Sequence, residues 1–170
     1  MTDHPESEPY RLATSASHLL HRAEQLAATR FTQLVNEAVT LRQFAVLVGI
    51  AEAPGLSQSD LVRATSIDRS TLADMMKTLE KRGLVVRTPS TADGRAHSVR
   101  LTQSGAAILA AATQHARAAD AAILDLLPRT KRKSFVATLT KLAKLSAEAA
   151  EKAERAAKRE AKRQARETRQ

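Results

Sequence analysis

The chain has 170 residues, enough for one domain or for one core with extended arms. Hydrophobic residues make up 43%, mostly Ala and Leu, with 2% aromatic and no Trp, a composition that favours helix packed on helix. The formal charge of +9 points to an anionic partner, nucleic acid or an acidic membrane surface, and the lack of Cys excludes disulfides and thiol-based redox sensing.

Residues 1–9 are acidic, proline-bearing and aperiodic, and read as a disordered N-terminus rather than a secretion signal. From Tyr10 to Ala38 apolar residues recur at helical spacing, among them Leu12, Leu19, Leu26, Phe31 and Val35, which predicts one long helix. Thr40 with Gln43 is a capping box opening a second helix, which Pro54 and Gly55 end. Ser57 caps a short third helix, and Asp68 caps a fourth from Arg69 to Arg82, stopped by Gly83. Leu84–Thr88 and Ala96–Leu101 are β-branched enough for strands around a Pro89–Arg95 loop. Thr102 caps a fifth helix, Pro128 breaks the chain, and a sixth helix runs into an Ala/Lys/Arg/Glu tail. The apolar faces of the first, fifth and sixth helices are too long for the middle segment to cover, which suggests a two-fold dimer.

The order of parts from Leu56 to Thr102 describes a winged helix-turn-helix, whose second helix enters the major groove of DNA by its N-terminal end. Leu72, Met75, Met76 and Leu79 fall at i, i+3, i+4, i+7 and predict the buried face of that helix. Arg69, Ser70 and Thr71 then lie nearest the DNA, with Lys77 reaching a phosphate or base edge. Asp74, on the same side, accepts from a cytosine amino group or holds a neighbouring Arg. Ser70 and Thr71 have a second reading as first-turn capping residues, which Asp68 at the cap position weakens. Ser57 and Gln58 serve equally as phosphate donors or as caps. Asp93-Gly94-Arg95 is either a solvated hairpin turn or a wing tip whose Arg95 enters the minor groove while Asp93 holds its guanidinium; its place just after the fourth helix favours the wing.

These stretches resemble the MarR family of bacterial transcriptional regulators. The matching residues are Leu41–Leu47, Leu56–Leu61, Ile67–Leu72, Leu79–Val85 and Asp93-Gly94-Arg95 running to Thr102, with Gly105 after it. The resemblance implies a homodimer with interleaved terminal helices, two winged lobes on a pseudo-palindrome, and a repressor released by a small ligand. It places the wing Arg at Arg95, its acid at Asp93, and recognition-helix contacts at Arg69, Ser70 and Thr71. It also implies a ligand site between the dimer helices and the lobe, where His18, His21, Arg22, Gln25, Arg30 and Arg42 are candidates to meet an acidic ligand, an aromatic acid or an acyl-CoA thioester. For the scattered histidines the plainer reading is polar residues at a helix interface, and no metal site is expected.

The expected fold is mainly α with a small β-wing: a winged helix-turn-helix lobe over 40–102, dimerisation helices over 10–39 and 103–147, and a basic helical tail over 148–170. Most of the basic excess lies outside the lobe, with +6 over residues 129–145 and +3 over 146–170. Arg129, Lys131, Arg132 and Lys133 oppose the dipole at a helix start, so a role in binding DNA or ligand phosphates is worth considering. No Ser/His/Asp, paired-carboxylate or Gly-rich phosphate motif assembles, so neither an enzyme nor a cofactor is expected. No apolar run approaches the roughly 20 residues of a membrane span, and the expected location is the cytoplasm, in association with the nucleoid. The expected partners are double-stranded DNA, a second copy and a small effector, not a membrane. The alternative is an architectural DNA-binding protein driven by the basic arm.

Overall fold

The computed structural model describes residues 10–35, 38–89 and 97–167. A 3-10 turn (Leu12–Thr14) leads into α1 (Ala16–Val35), α2 (Leu41–Glu52), α3 (Gln58–Thr65) and α4 (Arg69–Lys81). The antiparallel strands β1 (Val85–Pro89) and β2 (His97–Leu101) follow, then α5 (Gln103–Leu124) and α6 (Arg129–Glu167). The chain is mainly helical with one small sheet, as its sequence predicts.

Side-chain caps set most of the boundaries. Thr40 Oγ1 accepts from Gln43 N at 3.2 Å while Gln43 Oε1 accepts from Thr40 N at 3.1 Å, so two orphan amides at the start of α2 are satisfied reciprocally. Ser57 and Asp60 repeat the device at α3. Thr102 Oγ1 accepts from Gly105 N at 3.0 Å to open α5. Ser66 ends α3 in the left-handed region, φ 54°, which turns the chain into α4.

The first helix departs from its predicted start at Tyr10. Ser15 is buried, its Oγ accepts from His18 N at 3.3 Å, and the Tyr10 hydroxyl bonds the same oxygen. That cap fixes the first helical residue at Ala16 and leaves Leu12–Thr14 as a separate turn. Both strands sit within one residue of their predicted limits, paired from Val85↔Leu101 to Pro89↔His97. Gly55 N donates to Val99 O and Val99 N donates to Leu56 O, both at 3.1 Å, so the segment ahead of α3 closes the far edge of β2.

The core lies inside the lobe. Leu47 and Ile50 of α2, Leu61 of α3, and Leu72, Met76 and Leu79 of α4 are buried, with Phe31 of α1 and Ala112 of α5 closing over them. The outer helices contrast sharply. Leu20 of α1, Leu126, and Val136, Leu139, Leu142 and Leu145 of α6 are 40–59% exposed. Leu20, Leu126, Val136 and Leu139 share a groove of about 720 Å³ with Leu26, Ile123, Leu127 and Phe135, and Leu142 and Leu145 follow further along α6.

Candidate nucleic-acid interface

The face of α4 turned from the core begins with Arg69 and Ser70, both exposed, and Thr71, half-buried; Asp74 and Lys77 are exposed one turn further on. The spacing that buries Leu72, Met76 and Leu79 forces this placement. Asp68 Oδ1 accepts from Thr71 N at 2.9 Å and from Ser70 Oγ at 2.7 Å. Thr71, through side chain and backbone N–H, and then Ser70 hold the Asp68 carboxyl well below the usual carboxylate range. Asp68 at the cap therefore does not leave Ser70 free, as the sequence suggests. The Ser70 proton is committed to Asp68, and a phosphate would have to win it from that carboxylate. Arg69 is the exposed cation of this first turn.

Asp74 Oδ1 lies 3.0 Å from Lys77 Nζ, so the acid holds a lysine rather than an arginine. The pair is about three-quarters exposed on both sides, worth little by itself and readily traded for a phosphate contact. Ser57 spends both hydroxyl capacities in its box, donating to Asp60 at 2.6 Å and accepting from Asp60 N at 3.2 Å. Ser57, followed by Arg63, holds the Asp60 carboxyl below its ordinary value. Gln58 is half-buried in the first turn of α3. Asp93 and Arg95 lie outside the described residues. Arg87 of β1 turns back to α4, with Nε 3.1 Å from Glu80 Oε1 but outside hydrogen-bonding alignment. Arg100 is exposed on β2.

Two supports of this surface escape simple pattern reading. Thr102 Oγ1 and Ser104 Oγ donate to Gly83 O at 2.6 and 3.0 Å, tying α5 to the α4–β1 joint. Gly105 lies so close to the Leu84 carbonyl that a Cβ there would meet its oxygen at 1.9 Å. A glycine in the first turn of a helix costs stability relative to Ala, and that cost is the signal that it has a packing reason. At the α5–α6 corner Arg132 pairs with Asp125 at 2.6 Å and donates to Leu127 O at 3.1 Å, which accounts locally for one of the four cations at that helix start.

A cavity of about 440 Å³ opens between α1, α2, α3 and α5. Its wall is apolar, with Phe31 and Phe44 tilted at 46° and 5.2 Å apart, and its charged members are Glu52 and Asp120. None of His18, His21, Arg22, Gln25, Arg30 or Arg42 lines it. Glu24 draws two of them together, accepting from Arg42 and from Gln25, each at 3.1 Å. His18 and Arg30 are half-buried on α1, and His21 and Arg22 are exposed. Among the described residues no three His, Asp or Glu side chains are placed to hold a metal.

The model of the MarR family matches residues 39–97. Transcriptional regulator HosA of Escherichia coli O157:H7 is 34% identical over 131 residues, 77% of this chain and 96% of HosA. The structure of the repressor CouR bound to a 23-mer DNA duplex superposes with a TM-score of 0.71 at 31% identity, covering 78% of this chain and 94% of CouR. Bordetella bronchiseptica BpsR, whose DNA binding is regulated by 6-hydroxynicotinic acid, reaches 0.74 at 29% identity, covering 79% and 97%. The capped helices, the paired strands and these likenesses agree: the chain belongs to the MarR family of winged-helix transcriptional regulators.

Proposed function

We propose that the protein is a homodimeric repressor that grips a pseudo-palindromic operator with two winged lobes and is released by a small ligand. The exposed first turn of α4 carries this reading, since it offers Arg69 beside a tightly capped helix N-terminus. Arg69 reads a base edge or phosphate, Lys77 leaves Asp74 for a phosphate, and Ser70 and Thr71 lie against the backbone. Arg95 enters the minor groove at the wing, held by Asp93, and Ser57 and Gln58 approach the flanking phosphate. CouR bound to duplex DNA supports the mode, and BpsR supports release by an aromatic acid.

The cavity between α1, α2, α3 and α5 is the proposed effector site. Its apolar wall suits an aromatic body, or the acyl group of an acyl-CoA thioester with the nucleotide outside. Because Glu52 and Asp120 are the charges of that wall, the carboxylate of an acidic ligand points out of it. There His18, His21, Arg22, Gln25, Arg30 and Arg42, from one protomer or the other, are the candidates to meet it.

Selection from a random duplex pool with the full chain tests the repressor reading, and enrichment of an inverted repeat is expected. A thermal-shift screen against aromatic acids tests the ligand, with 6-hydroxynicotinic acid as first probe. A pool that emerges without sequence enrichment sinks the operator reading.

A further inference from the structure

We propose that the distal half of α6 is a second DNA-binding surface, which grips duplex phosphates outside the site read by the winged lobe. α6 passes the joint between α3 and α4: Lys144, Ala147 and Glu151 face Arg63, Ser66 and Asp68 across a cleft of about 710 Å³. That joint is the DNA-approaching end of a helix-turn-helix, because the second helix enters the groove by its N-terminus. Residues beyond Glu151 continue for about 24 Å at the rise of an α-helix, outside the lining of that cleft. From Lys152 to Gln164 every side chain whose exposure is described is exposed, so this stretch stands out from the lobe as an arm.

The charge on the arm fits the backbone it would meet. Residues 152–167 carry seven basic and three acidic side chains, while the cleft wall mixes Arg63 and Lys144 with Asp68, Glu148 and Glu151. Lys152, Arg155, Arg159 and Arg163 are exposed, and Glu151 holds Arg155 at 2.6 Å. An exposed i,i+4 pair of this kind is worth only a few tenths of a kcal/mol and gives way to phosphate. The helix offers its cations at fixed spacing and reads no base, so the contact is independent of sequence.

The inference extends the footprint of the proposed repressor, and its test uses mixed-sequence DNA so that it does not depend on an operator. In the full chain, Lys152→Gln, Arg155→Gln, Arg159→Gln and Arg163→Gln are combined; Gln keeps helix propensity, and circular dichroism checks the helix. Affinity for mixed-sequence duplexes of roughly 20 and 40 base pairs is followed against salt. The slope of log K on log salt is expected to shrink by about 0.9 for each phosphate contact removed, and the gain on the longer duplex to disappear. The reciprocal variant, Glu151→Gln with Glu160→Gln, is expected to bind the duplex several-fold more tightly, a change that loss of structure would not produce. An unchanged salt slope in the first variant overturns the proposal. So does loss of binding to phosphatidylglycerol vesicles with duplex affinity intact, which assigns the arm to a membrane surface. Either result leaves operator selection by the lobe standing, and failed operator selection leaves the salt slopes meaningful.

Discussion

Asp68 shows how one side chain builds a DNA-reading surface. Its carboxylate satisfies the Thr71 amide and fixes the Ser70 hydroxyl, which starts α4 at Arg69 and aims that turn outward. Because folding lowers its pKa, the stabilisation is fully present above the unfolded value of about 3.9 and is lost as pH falls through the folded one. Asp68→Ala is therefore expected to lower the melting temperature at neutral pH, with the gap to wild type closing progressively below about pH 4. A gap that stays constant on acidification, read by thermal denaturation, counts against the cap. Gly105 acts through shape alone. Any Cβ meets the Leu84 oxygen at 1.9 Å and its carbonyl carbon at 2.9 Å, and both are backbone atoms that cannot rotate aside. Gly105→Ala should cost about 1–3 kcal/mol or more, as overpacking does, despite the better helix propensity of Ala. Urea denaturation checks the sign, and a stabilised variant would refute the contact.

At the level of elements, the pieces legible in the sequence are those fixed within a few residues. The caps at Thr40, Ser57, Asp68 and Thr102 are i,i+3 devices, and each opens its helix where the sequence places it. The start of α1 is illegible for a related reason. The apolar period runs back to Leu12, but the buried Ser15 hydroxyl with Tyr10 breaks the helix, and periodicity does not weigh a polar cap inside an apolar pattern. The proposed effector cavity is harder still, because four helices, with α5 far from the others in sequence, wall it and the cations chosen on α1 stand outside. For α4 the outward face was legible from the stripe, whereas the Asp68–Ser70 bond depends on rotamers that spacing does not encode. With the Ser70 proton committed, Arg69 carries more of the contact. Arg69→Ala is expected to weaken operator binding roughly 10- to 100-fold. If Arg69 meets phosphate rather than base, the loss is uniform across sequences and the salt slope falls by about 1. Anisotropy titrations against the selected operator and a scrambled duplex separate the two.

Across the whole molecule the decisive asymmetry is between a filled lobe and bare outer helices. Leu47, Ile50, Leu61, Leu72, Met76 and Leu79 are essentially inaccessible, while Leu20, Val136, Leu139, Leu142 and Leu145 face solvent in one protomer. Exposed apolar side chains in this number mark an interaction site, and the same face of a second copy is the simplest partner that covers them with two-fold symmetry. The proposed operator geometry demands the same closure, since two recognition helices reach successive half-sites only when a fixed dimer spaces them about 34 Å apart. Leu139→Glu with Leu142→Glu puts two carboxylates into that surface, where burial without a partner costs several kcal/mol each, yet both positions are solvent-facing in the isolated protomer. Sedimentation velocity is expected to show a monomer where the wild type sediments as the proposed dimer. Circular dichroism should keep the helical signal of the lobe, and operator affinity should fall to that of one half-site. An unchanged dimer would place the interface elsewhere and leave the α1–α6 stripe without its occupant. A monomer with undiminished operator affinity would instead separate dimerisation from DNA reading, because one lobe would then supply the whole binding energy.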